Sequence, residues 1–226
     1  MKNAVITTLL SLFYQISLGQ ICNCKTQPNL NEIISCEKTI LKNGAKIYRE
    51  FSCDSSWVIF ESKNRKKKVL FSLNKDLMEY TGRLGFAGWT EYKNSFLVEY
   101  HTISGCCDPY EYILFDKNNG KKIAEIGREI FHSENNKYPY FVSIDKDNSN
   151  YLSFLNLETN KVFKINLPKD RIEKTMKITN GIFAETLFEN GEIKNGVFEI
   201  KYKYKTSEKD KWLNGKITVD LKKYVS

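Results

Sequence analysis

Three stretches of the chain share one pattern of apolar and polar positions. Each has a short run of aromatic and branched residues, then a turn rich in Asn, Lys and Gly, then a second apolar run. Residues 57–61 (WVIFE) and 68–71 (KVLF) flank the turn 62–67. Residues 112–116 (YILFD) and 121–126 (KKIAEI) flank 117–120, and 151–155 (YLSFL) and 161–165 (KVFKI) flank 156–160. Each unit predicts a β-hairpin, because strand-forming residues on both sides of a short polar turn fold back on one another. Residues 85–91 and 95–100 predict another hairpin, turning at 92–94. Asn43-Gly44 leads into a first strand at 45–51.

The last third continues in this style. Residues 181–188 and 196–204 read as strands joined through Glu189-Asn190-Gly191, and 212–221 returns after 206–211. Alternation is clean from 197 to 205. Phe198, Ile200, Tyr202 and Tyr204 fall on one face, and Glu199, Lys201, Lys203 and Lys205 on the other, as in a sheet with one dry and one wet side. Helix is expected only at 29–36, where Leu30, Ile33 and Ile34 share a face and Asn29 or Asn31 can cap, and at 168–176. The fold class is therefore all-β. The hairpins start at Trp57, Tyr112 and Tyr151, an irregular spacing near the roughly 40–50 residues of a propeller blade. A propeller-like arrangement of antiparallel hairpins is the first expectation, and a β-sandwich or curved meander is the alternative.

The N-terminus adds an address. Met1-Lys2-Asn3 is a basic start, 4–18 is a mostly apolar run, and Ser17-Leu18-Gly19 puts small residues ahead of a cut before Gln20, the pattern of a secretory signal peptide. Thr, Ser and Gln interrupt the run, which falls short of the roughly 20 residues that span a bilayer. A lipid anchor on Cys22 is disfavoured, because Ile21 before it is not small. The expected organisation is a signal peptide at 1–19, a small disulfide-tied, cysteine-bearing arm at 20–46 and an antiparallel β domain at 47–226. The mature chain is expected to be periplasmic or extracellular, with no transmembrane anchor.

Export changes the meaning of the cysteines. There are 6, Cys22, Cys24, Cys36, Cys53, Cys106 and Cys107, and in an oxidising compartment an even count reads as disulfides. Cys106 and Cys107 sit in the turn His101 to Tyr110. Adjacent α-carbons lie about 3.8 Å apart, less than the roughly 4.4–6.8 Å that a disulfide prefers, so each thiol is expected to seek a distant partner. The economical pairing ties Cys106 and Cys107 to Cys22 and Cys24, leaving Cys36 with Cys53. A metal site from His101, Cys106, Cys107 and Asp108 is disfavoured, because structural zinc sites space their cysteines.

Catalytic signatures are missing. The two histidines, His101 and His132, stand in no zinc-binding pattern, and no nucleophile elbow or phosphate-binding loop occurs. Asp54-Ser55-Ser56 reads as a turn before a strand. Glu99, Asp108 and Glu111 flank the Cys106–Cys107 turn and are the carboxylates from which a hydrolytic pair would be drawn.

The net charge is +8. Arg65 to Lys68 and the stripe Lys201, Lys203 and Lys205 carry part of it. An exported chain meets little nucleic acid, so none is expected, and an acidic protein or an envelope glycan suits this charge better. Trp89 and Tyr110 offer aromatic contact area to such a partner. The expected function is that of an exported, non-enzymatic binding protein without cofactor, in one version an inhibitor or immunity-type protein. The alternative is a secreted carbohydrate-active hydrolase using paired carboxylates.

Overall fold

A computed structural model of the chain describes residues 21–76, 86–100, 110–133, 137–144, 150–180 and 183–224. The predicted signal segment lies outside them, as does 101–109 with Cys106 and Cys107. Strand dominates, and within each sheet of the described residues neighbouring strands are consecutive in sequence and antiparallel. The first sheet holds β1 (Thr39–Ile40), β2 (Lys46–Phe51), β3 (Ser55–Glu61) and β4 (Lys67–Asn74). The second runs β5 (Phe86–Glu91), β6 (Ser95–Tyr100), β7 (Glu111–Asp116), β8 (Lys122–His132), β9 (Tyr140–Ile144), β10 (Tyr151–Asn156) and β11 (Val162–Asn166). The third holds β12 (Glu192–Lys194), β13 (Val197–Tyr204) and β14 (Leu213–Asp220). The hairpins expected from the pattern at 57–71, 112–126, 151–165 and 86–100 are all present.

The long strand β8 divides the seven-stranded sheet in two. Its first half pairs with β7 as far as Gly127, and from Arg128 onward it pairs with β9. At the changeover Gly127 has φ +83°, a conformation glycine adopts without steric penalty, and irregular register flanks it on both sides. The described residues thus form a series of four antiparallel units in chain order: β1–β4, β5–β8, β8–β11 and β12–β14.

Successive units pack face to face. Phe60 of β3 stacks on Phe96 of β6 at 5.7 Å, within a cluster that includes Ile47, Val58, Val98 and Ile113. The opposite face of the second unit brings Leu97 and Leu114 against Phe141 and Leu155 of the third. Phe154 of β10 then meets Phe198 of β13 edge-on at 5.1 Å, with Val142, Leu152, Ile200 and Val219 around them. The two middle units are covered on both faces, which explains why SFLV of β6 and YFVSI of β9 are continuously buried. β13 has one wet face and keeps the alternation read from its sequence. No closed ring is seen among the described residues.

Hairpin turns repeat one chemistry. Asp116 accepts hydrogen bonds at Oδ1 from the amides of Asn118 and Asn119 (2.8 and 3.1 Å), and Gly120 follows at φ +64°. Asn156 accepts at Oδ1 from Glu158 and Thr159 (both 3.0 Å), and Asn160 follows at φ +58°. A short acceptor side chain opens the turn, and a residue that tolerates the left-handed region closes it.

Three expectations are corrected. The strand predicted over 181–188 is, at Ala184–Leu187, a short 3₁₀ turn. Its buried residues Ala184 and Leu187 are three apart, which matches a three-residue repeat and breaks strand alternation. The hairpin into β13 turns at Asn195-Gly196 rather than at 189–191. Both residues have positive φ (+52° and +79°), the geometry of a type I′ turn matched to strand twist.

The disulfide pairing also differs: Cys22 joins Cys36 and Cys24 joins Cys53, with α-carbons 6.3 and 4.7 Å apart. Cys22 bridges to Phe51 at the end of β2, and the Phe51 amide donates to the Ile21 carbonyl at 2.9 Å. That contact lays the arm along β2 and delivers Cys24 to Cys53, so the N-terminal cysteines close among themselves and none is left for Cys106 or Cys107. Helix α1 (Leu30–Ile33) is shorter than the predicted span, whereas α2 (Lys169–Ile178) fills its own and buries Ile172 against the third core. No helix among the described residues is long and apolar enough to cross a membrane.

Candidate functional site

Strand register decides which side chains share a surface. In the β6–β7 pair, Glu99 lies opposite Tyr112 and Tyr100 lies opposite Glu111. Cross-strand partners share a face and consecutive residues do not. Tyr100 lies on the face turned to the first unit, where Phe71 packs against it at 5.1 Å. Glu99 and Tyr112 lie on the other, where Tyr112 packs against Phe141 at 4.8 Å. The carboxylates of Glu99 and Glu111 therefore start from opposite faces of the sheet. Asp108 is outside the described residues, as are His101, Cys106 and Cys107 of the disfavoured metal reading.

Beside this edge, where β7 and β8 approach β10 and β11, lies a cleft of about 340 Å³. Tyr100, Glu111, Tyr112, Glu125, Ser153 and Lys164 contribute to its wall. The Tyr100 hydroxyl donates to Glu111 Oε2 at 2.8 Å. Burial foremost, then the charge and hydrogen bond of Glu129 and the charge of Glu99, push the Tyr112 phenol well above its ordinary value, so it stays a neutral donor. Tyr110 is exposed at the start of β7. Trp89 sits elsewhere, half-buried against the core between the first two units.

The lysine stripe on β13 is not a uniformly basic surface. Lys203 pairs with Glu189 at 2.9 Å, and Lys216 of β14 pairs with Glu199 at 2.7 Å. Lys205 lies over the Trp212 ring at 5.4 Å and donates to the Glu208 carbonyl. Lys201 points to solvent between them. In the first sheet, Lys67 pairs with Glu50 at 3.2 Å, and Lys68 donates to the Gly120 carbonyl at 2.9 Å. Asp54 lies in the turn before β3 and Ser55 opens that strand, its hydroxyl donating to the Asp54 carbonyl.

A second concavity was hidden from the sequence. Four hairpin turns meet at one end of the middle units. Asn43 donates to the Lys117 carbonyl at 2.7 Å, Ser95 to Asn160 Oδ1 at 3.0 Å, and Asn94 to the Glu158 carbonyl at 3.3 Å. At their centre Lys117, almost wholly buried, donates to Glu91 Oε1 at 2.8 Å and to the Tyr92 carbonyl at 2.9 Å. The Lys42 amide also donates to Glu91 Oε1, at 2.8 Å. Burial works to raise the Glu91 carboxyl, but the Lys117 and Lys42 hydrogen bonds and charges outweigh it and hold it below the ordinary range.

His132 Nε2 stands 3.1 Å from the Tyr92 hydroxyl. The cavity between these turns is about 630 Å³. One signal pointed to it: in the two matching turns Lys117 takes the place that Leu157 takes, a lysine in an apolar slot. Comparison with models of known protein families and with curated proteins finds no match for this chain.

Proposed function

We propose that this is an exported, disulfide-stabilised binding protein that holds a protein or envelope-glycan partner without chemical turnover. In its most specific form it is an inhibitor or immunity-type protein that occupies a secreted toxin or hydrolase. The observation that carries the reading is the cleft beside β7. Two tyrosines with polar tips line a recess on a sheet whose strands are packed on both faces. Rigid aromatic surface with few ordering costs is what a recognition site needs. Two disulfides in the N-terminal region fit an oxidising compartment. The series of stacked units is, in this reading, an open propeller-like arrangement that presents the cleft.

Hydrolysis by paired carboxylates is the second reading. It is disfavoured by Glu99 and Glu111 starting from opposite faces of the sheet, because a glycosidase needs its two carboxyl groups across one bond. The net charge of +8 favours an acidic partner and a salt-dependent association rate. The test is capture from envelope extract at low salt, with the wild type beside Tyr112→Ala and Glu111→Gln. Capture of a partner by the wild type, weakened in both variants, supports the reading. Capture of nothing, or equal capture by all three, removes it.

A further inference from the structure

We propose that the cavity where the hairpin turns meet is a binding site for a sugar acid, a carboxylate-bearing monosaccharide unit. It is separate from the cleft beside β7 and stands whether that cleft takes protein or glycan. Its volume of about 630 Å³ is in the range of small-molecule pockets, roughly 300–1,000 Å³.

The charges of the wall are unevenly used. Lys117 and Glu91 neutralise each other inside the frame. Lys42 and Lys93 line the same cavity, are exposed, and form no ion pair among the described residues. Lys93, and Lys42 whose charge also acts on Glu91, give the cavity positive charge for a single carboxylate. The exposed Glu158 carboxylate lines the same cavity and has no side-chain partner among the described residues. It repels a doubly charged phosphate more than a singly charged carboxylate, and it accepts hydroxyl donors, which a polyol ring supplies. Pro139, half-buried on the same wall, offers apolar surface for the C–H face of such a ring. Thus anion, hydroxyls and apolar face each find a complement in one recess.

The frame is fixed before any ligand arrives. Lys117 ties its own turn to the 92–94 turn through the Tyr92 carbonyl, and the Leu157 amide donates to the Pro139 carbonyl at 2.8 Å. Preorganised walls spare the ligand the cost of ordering them. Lys117 and Glu91 are positioning residues here, and Lys42, Lys93 and Glu158 are the contacts.

The experiment is calorimetric titration of the purified protein with glucuronate, glucose and inorganic phosphate, and NMR shift mapping of the Tyr92 and His132 rings. Saturable glucuronate binding with a Kd of about 1 mM is expected, at least tenfold tighter than glucose or phosphate, with shifts at both rings. Lys42→Ala/Lys93→Ala is expected to weaken it tenfold or more at an unchanged thermal midpoint, and Glu158→Ala to weaken it less. No glucuronate binding, phosphate binding as tight as glucuronate, or full affinity in the double lysine variant each overturns the assignment. Envelope capture is read separately, so failure of one leaves the other intact.

Discussion

Lys117 and Lys203 each hold a glutamate oxygen at nearly the same distance, 2.8 and 2.9 Å. Their surroundings differ entirely. The side chains of Lys117 and Glu91 are 6% and 19% exposed, and those of Lys203 and Glu189 are 51% and 43% exposed. In water the second pair gains little, since solvent screens the attraction and holding two long side chains together costs entropy. In the turn cluster both partners are largely withdrawn from water, so each depends more on the other. Burial, and not separation, decides which of two similar ion pairs the fold relies on. The lysines that stand out in the sequence belong to the weaker kind.

The sharpest break in this contrast is Glu91→Gln. It leaves the Lys117 ammonium buried without its counter-charge and is expected to cost about 3–5 kcal/mol in urea denaturation. Glu91→Gln/Lys117→Leu, which copies the apolar choice at position 157, should recover most of that loss. A double variant as unstable as the single would mean that the lysine is not the reason. Next comes Gly120→Ala. A Cβ there would lie 2.5 Å from the Phe60 ring at φ +64°, so the turn that carries Lys117 must shift. Overpacking combined with a left-handed alanine is expected to cost about 2 kcal/mol, measured in the same way.

Acid offers a milder test. Folding holds the Glu91 carboxyl below its ordinary value of 4.5, so its contribution is complete above that pH and drains away as pH falls through the lowered folded value. Thermal midpoints followed from pH 7 to 3 should drop more steeply below 4.5 in the wild type than in Glu91→Gln. Parallel curves would assign the acid loss to other carboxylates, among them Glu61. Its carboxyl is raised by burial but lowered more by Tyr48 and Lys46. The smallest effect is expected from Lys203→Ala, whose midpoint should match the wild type at both 20 mM and 1 M NaCl, roughly the range over which exposed pairs are screened. A clear loss at low salt would place that pair with the buried one.

Much of the fold was legible because short apolar runs rich in aromatic and branched residues alternate with polar turns that carry Asn, Asp or Gly. The hairpins at 57–71, 112–126 and 151–165 carry both signals. Cysteine connectivity was not legible, because it depends on where the arm lies along β2, a fact carried by the bridge of Cys22 to Phe51. The 3₁₀ turn at Ala184–Leu187 was misread because an apolar, aromatic composition reads as strand, although Ala184 and Leu187, three apart, break its alternation. Of the cleft residues, only Glu111 stood out by its place beside the cysteine turn. Tyr100 and Tyr112 read as ordinary strand aromatics, and the pairing of Lys117 with Glu91 needs two turns to meet across 26 residues of chain.

Strand β8 has a consequence for how the molecule comes apart. Its two halves are ladder partners of different neighbours, and only Gly127 lies between them. Peeling either half away strips hydrogen bonds from the strand the other needs. The Arg128 guanidinium, 3.2 Å from both oxygens of Glu185, fastens its second half to the 3₁₀ turn. The units on either side therefore have no independent melting step. Protease cutting within the hairpin turns would release no stable half, and β5 to β11 should exchange their amide protons as one cooperative block.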